Sequence, residues 1–226
     1  MENELLRGVY TAERASSLAG VPKRTVYFWA RHDILTPNVS AERIMLWSWS
    51  DLVALRAIYW LRHPIDPEDR SATSMRRVKG MIKAIETTSS RMGDALSKGE
   101  VTIYVDRAGK TYTHSGEGSE LVTPTDRLRL LGREMLDPLE QFFVDSFVSG
   151  PDLRRPRATL RIVPGKLAGE PHVEDTRIET RVLDALSSKG YGDRQILEMY
   201  PDLSATSLTD AIDLEQQLKR NLLKVA

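Results

Sequence analysis

The chain has 226 residues, with 32 lysines and arginines balancing 32 aspartates and glutamates, and it contains no cysteine. The absence of cysteine excludes a disulfide framework, a thiolate metal site and a cysteine nucleophile. No uncharged apolar run approaches the about 20 residues that span a bilayer, and the first residues do not resemble a signal peptide. We therefore expect a cytoplasmic protein that does not associate with a membrane.

The charges are balanced overall but not along the chain. Arg70–Lys83 and Leu153–Lys166 each hold five basic residues and no acidic one, whereas Leu167–Ala226 holds 11 acidic against 7 basic residues. A basic stretch suits phosphate groups, and an acidic balance suits a basic protein partner. The pattern predicts different partners for the two ends of the chain.

The first segment predicts two short helices joined by a tight turn. Thr11 is a good N-cap and Gly20 ends the first helix, while Pro22 suits the start of the second. Val26 and Trp29 are three residues apart, so they share the inward face of the second helix. A helix-turn-helix presents the outer face of its second helix to DNA. The residues predicted on that face are Lys23, Arg24, Thr25, Tyr27 and Arg31.

A β-wing and a third helix are predicted next. Ile34–Thr36 and Ile44–Trp47 have the character of two short strands that pair with each other, with Arg43 near the tip as a further DNA contact. Ser48 and Asp51 form a capping-box pattern at the start of the third helix. Its inward stripe is Leu52, Leu55, Ile58 and Leu61, and the aromatic residues predicted to pack internally are Phe28, Trp29, Trp47 and Trp49.

The middle of the chain predicts a linker, a helix and a hairpin. Pro64–Ser71 is rich in turn-forming residues, and the helix after it has an apolar stripe that begins at Met75. Its basic side chains form either a solvated face or a surface for phosphates beside the winged helix, and the sequence leaves both readings open. Val101–Val105 and Lys110–Thr113 alternate as two hairpin strands. Further along, we expect a strand at Leu121–Thr123 and helices at Thr125–Leu131 and Leu139–Val148.

No catalytic, cofactor or metal site is predicted. Gly109-Lys110-Thr111 resembles the end of a phosphate-binding loop, but Tyr104 stands where that motif needs its first glycine. The four histidines lack metal-ligand spacing, and no serine stands in a nucleophile-elbow context. We therefore expect no enzyme activity, although a nuclease remains a minor alternative.

The C-terminal region predicts a small helical module. Arg157–Val163 alternates as a strand, and helices are expected from about Thr180 to Gly190, from Asp193, and after Ser204 or Thr206. The whole chain is therefore expected to be mainly α with small β elements. The predicted divisions are a winged helix at 1–63, a helical and β-hairpin region at 64–150, and a helical domain at 151–226.

The N-terminal block resembles the DNA-binding domain of the MerR family. The matching segments are Gly20-Val21, Thr25 to Trp29, Asp33 to Pro37, and Trp49-Ser50-Asp51-Leu52. The resemblance implies DNA binding by a winged helix-turn-helix. Tyr27 occupies the position where the family has arginine, so Arg24 or Arg31 would have to supply that contact.

The C-terminal block resembles a small bacterial domain of unknown function that is found in VapB-type antitoxins. Glu170 and Asp175 depart from its short members, which have lysine and glycine there and in which the loop would be a tight turn or an anion site. The matching residues are Gly169, Pro171, Thr176, Arg177, Ile178, Gly190, Tyr200, Pro201 and Leu203.

Together, the two resemblances imply an antitoxin of a type II toxin-antitoxin system. Such a protein would neutralise a PIN-like ribonuclease toxin and, as a homodimer on operator DNA, repress its own operon. The alternative is a stand-alone MerR-like transcriptional regulator with a ligand-sensing C-terminal domain. A toxin gene beside this one would favour the first function, and its absence would favour the second.

Overall fold

A computed structural model describes residues 8–64, 70–88, 91–115, 134–143 and 149–223. The protein is mainly α, with small antiparallel β elements between the helices. This confirms the fold class predicted from the sequence. Within these ranges no helix is both long enough and apolar enough to cross a membrane.

The N-terminal block begins with strand β1 (Tyr10–Thr11), helix α1 (Ala12–Ala19) and helix α2 (Lys23–Arg31). The Thr11 side chain accepts a hydrogen bond from the Arg14 amide at 3.2 Å and so caps α1. Gly20 ends α1 in the left-handed conformation, with φ 68°. Both predicted helices are confirmed, and Thr11, Gly20 and Pro22, the residues predicted to start or end them, lie next to the observed helix ends.

The predicted pairing within the wing is wrong. Strand β2 (Leu46–Trp47) pairs antiparallel with β1, so that Tyr10 lies opposite Trp47, and it does not pair with residues 34–36. Ile34 is instead buried, and its amide donates to the Trp29 carbonyl at 3.0 Å. Burial of this segment at the end of α2 outweighs its strand propensity.

Helix α3 (Trp49–Arg62) lies at the centre of the block. The Ser48–Asp51 capping box is present, as predicted. Every residue from Ser50 to Leu61 is buried, so the predicted stripe describes only one side of the helix. The buried Arg56 guanidinium donates to the Leu18 carbonyl at 2.6 Å and to the Glu140 carbonyl at 3.1 Å, which ties α1 to the middle region.

The middle region contains helix α4 (Met75–Thr88), helix α5 (Met92–Ser97), and a sheet of β3 (Val101–Val105), β4 (Thr111–Ser115) and β5 (Glu134–Leu136). The predicted fourth helix and hairpin are confirmed, with β3 central and antiparallel to both neighbours. Helix α5 was not predicted from the sequence.

The helix predicted at Leu139–Val148 is wrong where the structure describes it. Leu139 lies in a turn, and strand β6 (Phe142–Phe143) pairs antiparallel with β7 (Ser149–Gly150). The amide of Leu139 donates to the Asp137 side chain at 2.9 Å, a local turn bond that competes with a helix. The strand predicted at Leu121–Thr123 and the helix predicted at Thr125–Leu131 lie outside the described residues.

The C-terminal module contains strands β8 (Leu160–Arg161) and β9 (His172–Val173) and helices α6 (Thr180–Ser188), α7 (Asp193–Met199) and α8 (Ala205–Leu223). The three predicted helices are confirmed. The strand predicted at Arg157–Val163 is reduced to β8, which pairs antiparallel with β9. Helix α8 packs against both α6 and α1, so the module lies directly on the N-terminal block.

Candidate nucleic-acid interface

Helix α2 is held in place by its inward face. Val26 is fully buried and Trp29 is 3% exposed. The carbonyl of Pro22, just before the helix, accepts from the amides of Thr25 and Val26 at 2.8 and 3.0 Å. The turn therefore fixes the N-terminal end of α2, and packing fixes its rotation.

The predicted DNA-facing residues of α2 differ in exposure. Arg24 and Arg31 are exposed, whereas Thr25 and Tyr27 are half-buried. Lys23 is half-buried and forms an ion pair with Glu13 of α1. A hydrogen bond from Lys23 to this carboxylate raises the pKa of the lysine. Lys23 is therefore engaged within the block, and Arg24 and Arg31 are the open cations.

Phe28 was predicted to pack internally, and that prediction is wrong. Its side chain is 50% exposed and its ring stacks on His32, with 4.0 Å between ring centroids. Arg31 lies over the Tyr27 ring at 5.9 Å. Val26 and Trp29 already fill the inward face, so the 3.6-residue period places Phe28 outside. The outward face of α2 thus combines two arginines with two aromatic rings.

The other three predicted internal aromatics are less exposed than Phe28. Trp47 is fully buried and Trp29 nearly so, which confirms those two predictions. Trp49 is half-buried and packs against the core. The buried Trp47 holds β2 against β1. The wing segment therefore pairs with Tyr10 and Thr11, the two residues that precede α1.

The wing is a short loop closed by its own backbone. Ser40 and Leu46 exchange two hydrogen bonds, of 3.1 and 2.9 Å. Arg43 lies in this loop and is exposed, as predicted, and Ile44 beside it is 67% exposed. An exposed cation next to an exposed apolar side chain fits contact with a sugar–phosphate backbone.

Helix α1 is joined to the C-terminal module by an ion cluster. We name it the Arg14 cluster, and it consists of Arg14, Glu170, Thr180 and Glu215. The Arg14 guanidinium donates two parallel hydrogen bonds of 2.8 Å to Glu215 and one of 2.9 Å to Glu170. Thr180 donates to Glu215 at 2.5 Å. The two carboxylates are only 8% and 6% exposed, so these are largely desolvated charges.

The electrostatics of the Arg14 cluster favour its charged form. Burial acts to lower the pKa of Arg14, but hydrogen bonds and charge from Glu215 and Glu170 outweigh it and raise that pKa. Burial acts to raise the pKa of Glu215, but the hydrogen bond and charge of Arg14 lower it below its ordinary value. Arg14 and Glu215 therefore remain ionised at neutral pH.

Two further hydrogen bonds join the N-terminal block to the C-terminal module at the junction that contains the Arg14 cluster. The Tyr10 hydroxyl donates to the Gly169 carbonyl at 2.8 Å, and Asn221 donates to the Ser17 carbonyl at 3.0 Å. Gly169 has φ 83°, and a Cβ there would lie 2.0 Å from the Tyr10 oxygen. Only glycine fits this position. Burial raises the pKa of Tyr10 well above its usual range, so its hydroxyl remains a donor.

This junction was not predicted from the sequence. Glu170 was noted only as a departure from the lysine of related loops, and the structure shows that its carboxylate binds Arg14. Asp175, the second departure, adopts φ 59°, a left-handed conformation that glycine favours and aspartate tolerates. A left-handed turn residue therefore occurs in this chain without a glycine at position 175.

The described ranges contain no group of three or more histidine, aspartate or glutamate side chains that could hold a metal ion. The arrangement on α2 and the wing is one of exposed cations, aromatic rings and apolar groups on a buried scaffold. Exposed cations and rings of this kind have the chemistry that a polyanion could contact.

One family model matches the chain. It is described as "Protein of unknown function (DUF433)" and covers residues 161–213, from β8 into α8. No curated protein matches the chain. No solved structure matches it either. The match therefore shows that residues 161–213, a range that contains Glu170 and Thr180 but not Glu215, are similar to this family.

Proposed function

We propose that the protein is a DNA-binding antitoxin that recognises operator DNA through α2 and the wing and neutralises a PIN-like ribonuclease through its C-terminal module. The observation that carries the proposal is the outward face of α2. Arg24 and Arg31 are exposed there, and neither forms an ion pair with a described residue. Exposed arginines on the second helix of a helix-turn-helix are placed to contact bases and phosphates.

The scaffold behind α2 supports this role. Its inward face and its preceding turn are both fixed, so the arginines extend from a rigid element. The neighbouring wing adds Arg43. Operator recognition as a homodimer follows from the resemblance to MerR-like regulators, which is an expectation from the sequence.

The antitoxin role rests on the C-terminal module. Its acidic balance suits a basic protein partner, and its own motif resembles that of a domain of unknown function found in VapB-type antitoxins. The surface of α6, α7 and the loop between them also exposes apolar side chains. Val182 is 39% exposed, Tyr191 41% and Met199 48%. Apolar groups among acidic ones form the kind of surface that a basic protein partner would cover.

The DNA-binding part is tested with Arg24→Ala and the DNA upstream of this gene. We expect weaker binding and a salt dependence flatter by about 0.9 in logarithmic slope for one lost phosphate contact. Arg194→Ala is the matched control, because Arg194 is an exposed arginine on α7, with a side chain 93% exposed. Equal affinity and slope for Arg24→Ala and the wild type would contradict the proposal.

The antitoxin part is tested by co-expressing the full chain with the product of the adjacent gene. We expect the two proteins to copurify, and we expect the chain to suppress ribonuclease activity of the partner. Met199→Asp should weaken the complex without changing DNA affinity, because Met199 lies on α7. An adjacent product that neither copurifies nor cleaves RNA would contradict an antitoxin role.

The second candidate, a regulator with a ligand-sensing C-terminal domain, is favoured by one cavity. A space of about 300 Å³ lies beside the Arg14 cluster, lined by Ser17 of α1 and by Arg181, Leu218 and Leu222 of the C-terminal module. A ligand there would contact both regions at once. This candidate predicts that a small molecule from the cell changes operator affinity with no protein partner present.

A further inference from the structure

Helix α4 presents a cationic stripe on the side opposite its core contacts. Val78, Ile82 and Ile85 are buried. At about 100° per residue, Arg76, Lys79 and Lys83 fall within about 60° of one another on the other side. All three are exposed. We name the set Arg76, Lys79, Gly80 and Lys83 the α4 stripe.

The α4 stripe has one acidic neighbour on its own helix among the described residues, Glu86, which lies three residues beyond Lys83. None of its three cations forms an ion pair within the part of the chain that the structure describes, and no acidic residue occurs between Arg70 and Lys83. Like charges three or four residues apart destabilise a helix. A stripe of this kind is favourable when an external polyanion neutralises it.

An exposed glycine, Gly80, also supports an external contact at the α4 stripe. It lies inside α4 and is exposed, and a Cβ at this position would meet nothing within 4 Å. Glycine destabilises a helix interior relative to alanine, and no packing contact among the described residues requires it here. A bare backbone one turn along the helix from both Arg76 and Lys83 leaves room for a bulky group to approach from outside.

Helix α4 lies near the segment that follows α2. Ile82 and Glu86 of α4 line a cavity of about 500 Å³ together with residues 33–36, which directly follow α2. The C-terminal half of α4 is therefore adjacent to the segment between α2 and the wing.

We propose that the α4 stripe binds the sugar–phosphate backbone of the duplex that α2 contacts. The inference rests on the proposed DNA binding and adds a second, sequence-independent contact to it. From Arg76 to Lys83 the stripe is about 10 Å long. A duplex carries about three phosphates per strand over that axial length. The stripe holds no large apolar side chain, which disfavours a protein partner, whose contact surface needs an apolar core.

The test compares full-length variants on two duplexes, one from upstream of the gene and one of unrelated sequence. Arg76→Gln/Lys79→Gln/Lys83→Gln should lose about a hundredfold in affinity at about 0.15 M salt and reduce the salt slope by about 2.7, on both duplexes. Lys189→Gln/Arg194→Gln/Arg220→Gln removes the same charge from the C-terminal module and is the control. Losses equal to those of the control would overturn the proposal.

Gly80→Gln keeps the net charge and tests direct contact. Its side chain fills the open space, so we expect at least a tenfold loss of affinity together with a raised melting temperature, because glutamine favours a helix more than glycine does. Unchanged affinity would overturn direct backbone contact at the α4 stripe.

The same titrations separate this inference from the proposed function. If the α4 stripe variants bind normally and Arg24→Ala does not, only the stripe proposal fails. If the stripe variants lose affinity and Arg24→Ala does not, recognition through α2 fails and the stripe contact stands. If the wild type binds neither duplex, both proposals are overturned.

Discussion

Arg14 and Arg24 lie ten residues apart on the two helices of one helix-turn-helix, and their surroundings are opposite. The side chain of Arg14 is 16% exposed and binds two carboxylates of the C-terminal module. Arg24 is exposed on α2 and forms no ion pair with a described residue. The comparison shows that the environment, and not the residue type, separates a structural cation from one available to a partner.

The two sites should therefore respond to mutation in different measurements. Removing one member of a desolvated ion cluster leaves the other charged groups buried and unpaired, which destabilises the folded state. An exposed cation contributes little to the folded state and much to an encounter with a polyanion. Stability assays should therefore detect the loss of Arg14, and DNA-binding assays should detect the loss of Arg24.

The largest expected effect is that of Arg14→Ala. The substitution leaves Glu170 and Glu215 desolvated without their cation, which should lower the free energy of unfolding by about 3–5 kcal/mol. Urea denaturation of the full chain measures it. Adding Glu170→Gln and Glu215→Gln should restore part of the loss, because neutral amides tolerate burial better than unpaired carboxylates. A loss below about 1 kcal/mol would mean that the cluster is well hydrated.

The next effect is on the pH dependence of stability. Because the pKa of Glu215 in the folded protein lies below its ordinary value, Glu215 stabilises the fold above the unfolded pKa of about 4.3. That contribution is lost as the pH falls through the lower, folded pKa. Urea midpoints measured from pH 7 down to pH 3 should show this loss in the wild type.

In Arg14→Ala the same carboxylate keeps its burial without its cation, so this part of the acid dependence should disappear or change sign. Parallel pH profiles for the two proteins would contradict the assigned role of Arg14. Arg24→Ala is the matched control and should follow the wild type.

The smallest expected effect is that of Arg24→Ala on stability. Substitution of an exposed side chain without a described partner should change the free energy of unfolding by no more than about 0.5 kcal/mol. Urea denaturation of Arg24→Ala, carried out together with its DNA titration, gives the free energy of unfolding to compare with that of Arg14→Ala. A destabilisation of more than about 1 kcal/mol would place Arg24 in the fold and not at a binding surface.

Most helices were predictable because their signals are local. Thr11 and Gly20 delimit α1, and Ser48 with Asp51 starts α3. The wing was not predictable, because Trp47 pairs with Tyr10 from the far end of the block. Periodicity identifies a strand but not its partner, since pairing depends on which surfaces the tertiary fold brings together.

The candidate site follows the same rule. Arg24 and Arg31 on the predicted helix face and Arg43 in the loop are exposed, whereas three further residues predicted on that face are half-buried: Lys23, Thr25 and Tyr27. Phe28 was placed wrongly, because the usual burial of aromatic residues was given more weight than the 3.6-residue period, which places Phe28 away from Val26 and Trp29. The Arg14 cluster joins residues 156 and 201 positions apart, and no sequence spacing indicates such a contact.

The contact between α1 and α8 also has a consequence for the order of folding during synthesis. Ser17 receives its hydrogen bond from Asn221, so the ribosome must make about 200 more residues before α1 is covered on that side. Contacts of such long separation form late and slow the folding rate. A nascent chain that has completed α2 therefore still exposes the uncovered side of α1, and α8, synthesised about 200 residues later, completes the packing of α1.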